Sequence, residues 1–381
     1  MTALYSILHF LVDGVCALAM FGYFATRENW YVNILLYNFC AFALQMPLGV
    51  VLDGLCRERS TGKALPPYLY AVAGVTLTLA GAFIHPVILG LGNALFHLGG
   101  GVATIQEDTA KGRRGRGLGV FVAPGALGLY IGTLIGKSEA ASVWSVIIPI
   151  GVVMALCLLF GRKRLLKTVV VDGKVTEHLL PSDRENLTPA TRGTENAQTA
   201  RNGRLSDLWL ATGCLFVVIL RSYIGMAVSF SWKTTVLAGT LAVCAVVFGK
   251  VAGGFAAAAF GIRRTMAISL GAAALCFLLS GNMAAGIMAL FLFNMTMPIT
   301  LYLLIRRLKE LPGFAFGLLT FGIFLGLMPV YLELILPMDG RLVGCLGSVI
   351  SLVILWFCAG SVKPGKAFAK APSNEEEGGA G

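Results

Sequence analysis

Two pairs of polar side chains stand near the middle of apolar runs long enough to cross a bilayer. His9 and Asp13 interrupt ALYSILHFLVDGVCALAMFGYF, and Asn93 and His97 interrupt PVILGLGNALFHLGGGVATIQED. Residues four apart share one face of a helix, so each pair presents its two groups together. Polar groups at that depth are costly against lipid and belong against protein or water. A low dielectric disfavours the charged form of a carboxylate, which suits an aspartate to taking up and releasing a proton. Imidazole titrates in the physiological range without perturbation. Asp13, His97 and His9 are therefore candidates for coupling proton movement to another process. The plainer alternative for each is a hydrogen bond between helices.

Three further residues extend the set. Asn93 and Asn294 are central in two different apolar runs, as solute contacts or as helix-to-helix glue. Arg221 stays charged and offers a planar fork that matches a carboxylate or phosphonate. It serves either an anionic solute or an acid such as Asp13, or it snorkels to the surface. Glu107, Asp108 and Glu333 stand at the ends of apolar runs and are expected at the interface with water.

The elements that must position these groups follow from composition. The chain has 381 residues, 57% hydrophobic and only 13% charged, with a mean hydropathy of +0.80. Soluble domains carry roughly 25% charged residues, so this is an all-α polytopic membrane protein. Twelve apolar segments can be counted: 3–26, 29–52, 66–84, 86–108, 117–137 and 142–160, then 205–226, 233–258, 265–281, 283–305, 313–336 and 340–360. Residues 1–160 and 205–360 are expected to form two pseudo-symmetric six-helix bundles. A polar linker at 161–204, with at most a short amphipathic piece near Val169–Leu180, joins them, and a disordered tail follows at 361–381. The first apolar run lacks a basic leader and is interrupted by Asp13, so it is expected to be retained as a helix.

Net charge is +11, but its distribution is that of membrane topology rather than nucleic-acid binding. Arg57, Arg59 and Lys63, then Lys111, Arg113, Arg114 and Arg116, then the linker, Arg263–Arg264, Arg306–Arg307 and the tail all fall at one side. Both termini and the linker are accordingly expected in the cytoplasm of a cell whose plasma or inner membrane holds the chain. No basic face interleaved with aromatics is present, which excludes a nucleic-acid partner. Eight of the nine cysteines lie within apolar runs and none forms CxxC, so they read as small hydrophobes rather than metal or redox groups.

Duplication shows in local pattern. The second segment ends Gly49-Val-Val-Leu-Asp53 with Arg57 beyond, and the eighth ends with Gly254, Gly261 and Arg263. The chain here resembles the major facilitator superfamily, whose loop between helices 2 and 3 reads G-x-x-x-D-[RK]-x-G-[RK]-[RK]. Gly49, Asp53 and Arg57 match; Gly54 replaces a basic residue and Cys56 a glycine. The second copy has Ala258 where the aspartate would be. The resemblance implies that Gly49, Asp53, Arg57, Gly254 and Arg263 belong to a cytoplasmic gate, and that helices 1, 4, 7 and 10 line a central cavity. HFLVDG, GNALFHLGG and VFVAPGALG are similar to the fosmidomycin-resistance branch of drug exporters. Pro124, Gly125, Gly128 and Gly132 stand where antiporters of the superfamily carry a Gly-Pro motif, which implies a bendable gate. Spacing alone gives Gly128 and Gly132 a simpler role in close helix packing.

The expected function is proton-coupled secondary transport, outward for a small drug-like or anionic solute, by a single chain. The alternative is an importer or facilitator of a metabolite on the same fold. A non-transporting scaffold and a membrane-embedded enzyme are the remaining readings. No HExxH, paired-carboxylate or Walker sequence supports enzymatic chemistry or ATP-driven pumping. No cofactor and no metal is therefore expected; the energy source is a proton gradient.

Overall fold

The computed structural model describes residues 1–56, 65–138, 142–178, 195–335 and 337–360, with the side chains of 163–204 outside the description. The described residues form helices and no strand. Inside hydrocarbon a helix satisfies every backbone group within itself, and the apolar runs of about 20 residues need no other partner. We number the spans α1 (Thr2–Gly22), α2 (Trp30–Cys56), α3 (Pro67–Ile84), α4 (Pro86–Ala110), α5 (Arg116–Gly136) and α6 (Val143–His178). There follow α7 (Glu195–Ala227), α8 (Val236–Phe260), α9 (Ile262–Leu278), α10 (Met283–Arg307), α11 (Pro312–Tyr331) and α12 (Gly340–Gly360). Eleven of these contain a stretch long and apolar enough to cross a membrane. The remaining one, α9, has 17 residues and opens on Arg263 and Arg264.

Proline and capping side chains set many of the starts. Pro86 opens α4 in the first turn, where its missing N–H costs nothing, and His85 Nδ1 accepts from Val87 N. Thr235 and Asn282 cap α8 and α10. One boundary differs from expectation: α6 does not stop at 160 but continues to His178, and α7 begins at Glu195. The run RKRLLK is made of good helix formers, so leaving the apolar region does not end the helix. Residues 179–194 and the tail at 361–381 lie outside the described residues.

Packing repeats after six helices. Contacts of α3 with α4 recur as α9 with α10, and those of α1 with α5 as α7 with α11. The halves meet along α2 with α11 and α5 with α8, pairs that exchange under the same shift. At the basic end, Asp53 of α2 is buried and accepts from Gly313 N at 2.7 Å and Phe314 N at 2.8 Å, the N-terminus of α11. A Cβ at Gly49 would collide with the Gly313 carbonyl, so only glycine permits this approach. At the opposite end Tyr31 stacks on Tyr331 with ring centroids 4.3 Å apart, and Tyr130 Oη donates to Val236 O at 3.0 Å. The halves thus touch at both ends of the interface.

The N-terminus of α5 is satisfied differently. Asp108, expected at the water interface, is buried and accepts from Gly117 N and Leu118 N, each at 3.1 Å. An aspartate of α4 therefore does within one half what Asp53 does between halves, and the start of α5 is capped although α8 carries Ala258. Gly254 still packs across the interface, where a Cβ would meet Gly115 O at 3.0 Å. Arg263 does not join that contact; its guanidinium lies over Trp356 of α12, 5.3 Å from the ring centre. Arg57 falls outside the described residues. Glu107, also expected at the interface, is 4% exposed. It accepts from Thr2 N and Oγ1 at 2.9 and 2.7 Å and pairs with Lys111 and Arg113, which ties the start of α1 to the end of α4.

Loss of a carboxylate cap costs about 1–2 kcal/mol, roughly a tenfold shift in a two-state equilibrium. Asp53→Ala should therefore favour conformations in which the basic ends of α2 and α11 separate. The distance distribution between labels on those two ends, measured by pulsed electron resonance, should gain a longer component. An unchanged distribution would show that Asp53 does not latch this end.

Candidate functional site

The polar residues of α1 and α4 converge. The two spans are the most enclosed of the eleven candidate spans among the described residues, so polar groups on them face protein rather than lipid. Asp13 Oδ2 lies 3.2 Å from His9 Nε2, and Asp13 Oδ1 lies 3.6 Å from His97 Nε2. Asn93 Nδ2 donates to Asp13 Oδ1 at 3.0 Å, while Asn93 Oδ1 is buried without a partner. The two imidazoles meet directly, with His9 Nε2 and His97 Nε2 2.8 Å apart.

Hydrogen-bond accounting constrains the tautomers. His9 Nδ1 lies 2.7 Å from Phe121 O, and His97 Nδ1 lies 2.8 Å from Asn93 O. A carbonyl oxygen only accepts, so both Nδ1 atoms carry hydrogen. Two neutral rings would then point bare lone pairs at each other across 2.8 Å. One additional proton between the Nε2 atoms turns that clash into a hydrogen bond, with the Asp13 carboxylate as counter-charge. The ligand atoms of His9, Asp13 and His97 lie within 4.8 Å of one another, a spacing open to a metal ion as well. Two nitrogens on one tetrahedral zinc sit about 3.3 Å apart, so the shorter separation suits a shared proton better.

The cluster is tied to a break in α5. Pro124 has no N–H and ends the first piece of this span, which is helical over Arg116–Val122 and again over Pro124–Gly136. Three successive carbonyls at the break receive side chains: Val120 O from Ser6 at 3.1 Å, Phe121 O from His9, and Val122 O from Lys250 at 3.3 Å. Ser6 and His9 belong to α1, but Lys250 comes from α8 in the other half. A Cβ at Gly125 would land on His9 Nε2 and Asp13 Oδ2, so this glycine makes room for the cluster. At Gly128 and Gly132 a Cβ would instead strike Phe10 O and Gly14 O of α1.

Two expected members stand apart. Asn294 Nδ2 bonds to Leu290 O of its own helix at 2.8 Å, one residue before α10 breaks at Met295. Arg221 of α7 has Nη1 buried without a partner and does not pair with Asp13. Sequence reasoning passed over Lys250, although a lone lysine in AVCAVVFGKVAGG has no headgroup within reach and was the available signal.

No family profile matches this sequence. No curated protein matches it either. Among solved structures, it is similar to the major facilitator superfamily transporter FucP in its outward conformation, with a TM-score of 0.55 and 14% identity, over 93% of this chain and 99% of that one. The fold is the major facilitator fold. A variant of the E. coli fucose:proton symporter FucP gives a TM-score of 0.54 at 15% identity, over 94% and 98% of the two chains. The chain is a multi-pass membrane protein with twelve helices of this architecture.

Proposed function

We propose that the chain is a secondary transporter that couples proton movement to a small solute by alternating access. The observation that carries this reading is the His9–Asp13–His97 cluster, two imidazoles and a carboxylate that meet where both halves grip the same helix break. When the halves rock, Lys250 and His9 cannot both keep adjacent carbonyls of α5 unless α5 moves with them. Proton binding and the position of the other half are then linked. FucP is described as a fucose:proton symporter, and its fold is shared here; its solute is not carried over. The basic loops support a plasma or inner membrane location with both termini in the cytoplasm, and the architecture supports a single working chain.

Efflux by proton antiport is supported by the likeness of Pro124–Gly132 to the antiporter pattern. Import by symport is supported by Lys250 and Arg221, because a proton and an anion held in one chamber attract each other and favour moving together. The ionisable groups around Asp13 are His9 and Cys16 on α1, His97 on α4, Tyr37 on α2 and Lys250 on α8.

Purified protein in vesicles with an imposed pH gradient tests the proposal, using solutes chosen by thermal-shift screening of antibiotics and metabolites. Solute should accumulate beyond equilibrium, on the acid side for antiport or the alkaline side for symport, and a protonophore should abolish the accumulation. Equal rates and final levels with and without the gradient would refute coupling. Absence of any solute flux would favour the scaffold reading.

A further inference from the structure

His9, Asp13 and His97 are turned toward one another by the bonds their other atoms make. His9 Nδ1 meets Phe121 O at 2.7 Å, and His97 Nδ1 meets Asn93 O at 2.8 Å. In a neutral ring whose Nδ1–H is donated to a carbonyl, Nε2 is left with a free lone pair. The two Nε2 atoms come within 2.8 Å of each other. Asp13 brings one carboxylate oxygen 3.2 Å from His9 Nε2 and the other 3.6 Å from His97 Nε2. Asn93 Nδ2 holds that carboxylate at 3.0 Å. Among the described residues this is the one place where three histidine, cysteine or acidic side chains bring ligand atoms within 4.8 Å of one another.

An imidazole that binds a metal through one nitrogen donates its other N–H to a carbonyl or carboxylate, and ligating carboxylates are themselves hydrogen-bonded. All three groups here carry such an orienting bond. Other buried acids are used differently: Asp53 and Asp108 each give both oxygens to backbone N–H groups. Asn93 also keeps Oδ1 buried without a partner, an acceptor that a water on a bound ion would satisfy. Two imidazoles and one carboxylate suit zinc, cobalt or nickel rather than magnesium or calcium, which take oxygen. Three protein ligands leave a fourth position for water. Two nitrogens on zinc stand about 3.3 Å apart, so the rings must part by about half an ångström to admit the ion. Asp13 offers the way in, with 18% of its side chain exposed against 7% and 10% for the histidines.

We infer that His9, Asp13 and His97 form a binding site for a divalent transition-metal ion of the zinc class, with Asn93 as its positioning residue. The site stands on the geometry of the three donors and their orienting bonds. Its consequence rests on the transporter reading. An ion that occupies both Nε2 lone pairs leaves neither for a proton, so bound metal arrests coupled transport.

Calorimetric titration of Zn2+ into the full, tag-free chain in zwitterionic-lipid nanodiscs tests the site. A single equivalent should bind, and Mg2+ or Ca2+ should not displace it. Asn93→Leu should weaken binding about 10- to 100-fold, and His97→Ala at least as much. His85→Asn, which alters only the cap of α4, should bind as the native chain does. Should the variants fail to fold, X-ray absorption at the zinc edge of the loaded native chain decides. The shell should hold two imidazole nitrogens and oxygen, without sulfur. No binding, binding indifferent to both Asn93→Leu and His97→Ala, a sulfur in the shell, or fewer than two imidazoles would each overturn the site. In vesicles under a pH gradient, Zn2+ should abolish solute accumulation and a chelator should restore it. If Zn2+ binds with the expected shell and accumulation continues, the metal site stands and the proton takes another path. If Zn2+ does not bind while the gradient drives accumulation, the metal site falls and coupled transport stands.

Discussion

Asp13→Asn should leave a folded chain that exchanges solute across the membrane but no longer accumulates it against a gradient. The substitution keeps shape and volume, removes the negative charge and turns one acceptor oxygen into an N–H donor. In the native arrangement that charge faces both Nε2 atoms, at 3.2 and 3.6 Å, and would stabilise a proton between them. Hydrogen bonds to a charged group are worth about 1.5–3 kcal/mol. Losing the charged bond to His9 and the longer-range attraction of His97 lowers proton occupancy, and with it gradient-driven accumulation, by about 10- to 100-fold. Without the shared proton the imidazoles repel, and His9 loosens from Phe121 O. Solute counterflow needs no net proton movement and should persist. The measurement is the ratio of gradient-driven accumulation to counterflow in the same vesicles. Equal loss of both activities would indicate a structural role for Asp13, and survival of accumulation would remove it from the coupling path.

The spans could be located from hydropathy because hydrocarbon admits almost no other structure than a helix. The facing of His9 with Asp13, and of Asn93 with His97, followed from helical period alone. Their meeting across α1 and α4 did not, since a period says which residues share a face and nothing about which faces touch. Glu107 and Asp108 have partners that the sequence did not reveal, for a related reason. Proximity to basic residues suggests the headgroup region; it does not show that Glu107 satisfies the N–H of Thr2 at the far start of α1, or that Asp108 caps the next helix nine and ten residues on. Arg263 looked like half of a repeated gate motif, yet Trp356, an aromatic nearly a hundred residues on, captured it. Lys250 was legible as an oddity, one charge amid small apolar residues. What it meets, a carbonyl at the α5 break in the other half, depends on a backbone interruption that composition does not reveal.

The glycines of α5 separate packing from chemistry, and two alanine substitutions should show it. At Gly128 the new methyl would be driven into Phe10 O, a backbone atom that cannot step aside without moving α1. Overpacking of this kind costs about 1–3 kcal/mol, so Gly128→Ala should lower the melting temperature while protein that remains folded keeps its coupling ratio. At Gly125 the methyl meets the side-chain tips His9 Nε2 and Asp13 Oδ2. Side chains rotate at less cost than backbone shifts, so Gly125→Ala should melt close to the native temperature. The rotation, however, parts the two groups that hold the shared proton, and coupling should fall as it does in Asp13→Asn. Thermal unfolding and the accumulation-to-counterflow ratio, measured on both variants, should therefore move in opposite patterns. Matching losses of stability and coupling in the two would mean that α5 serves only to pack against α1, and that the cluster beside Gly125 carries no proton through the cycle.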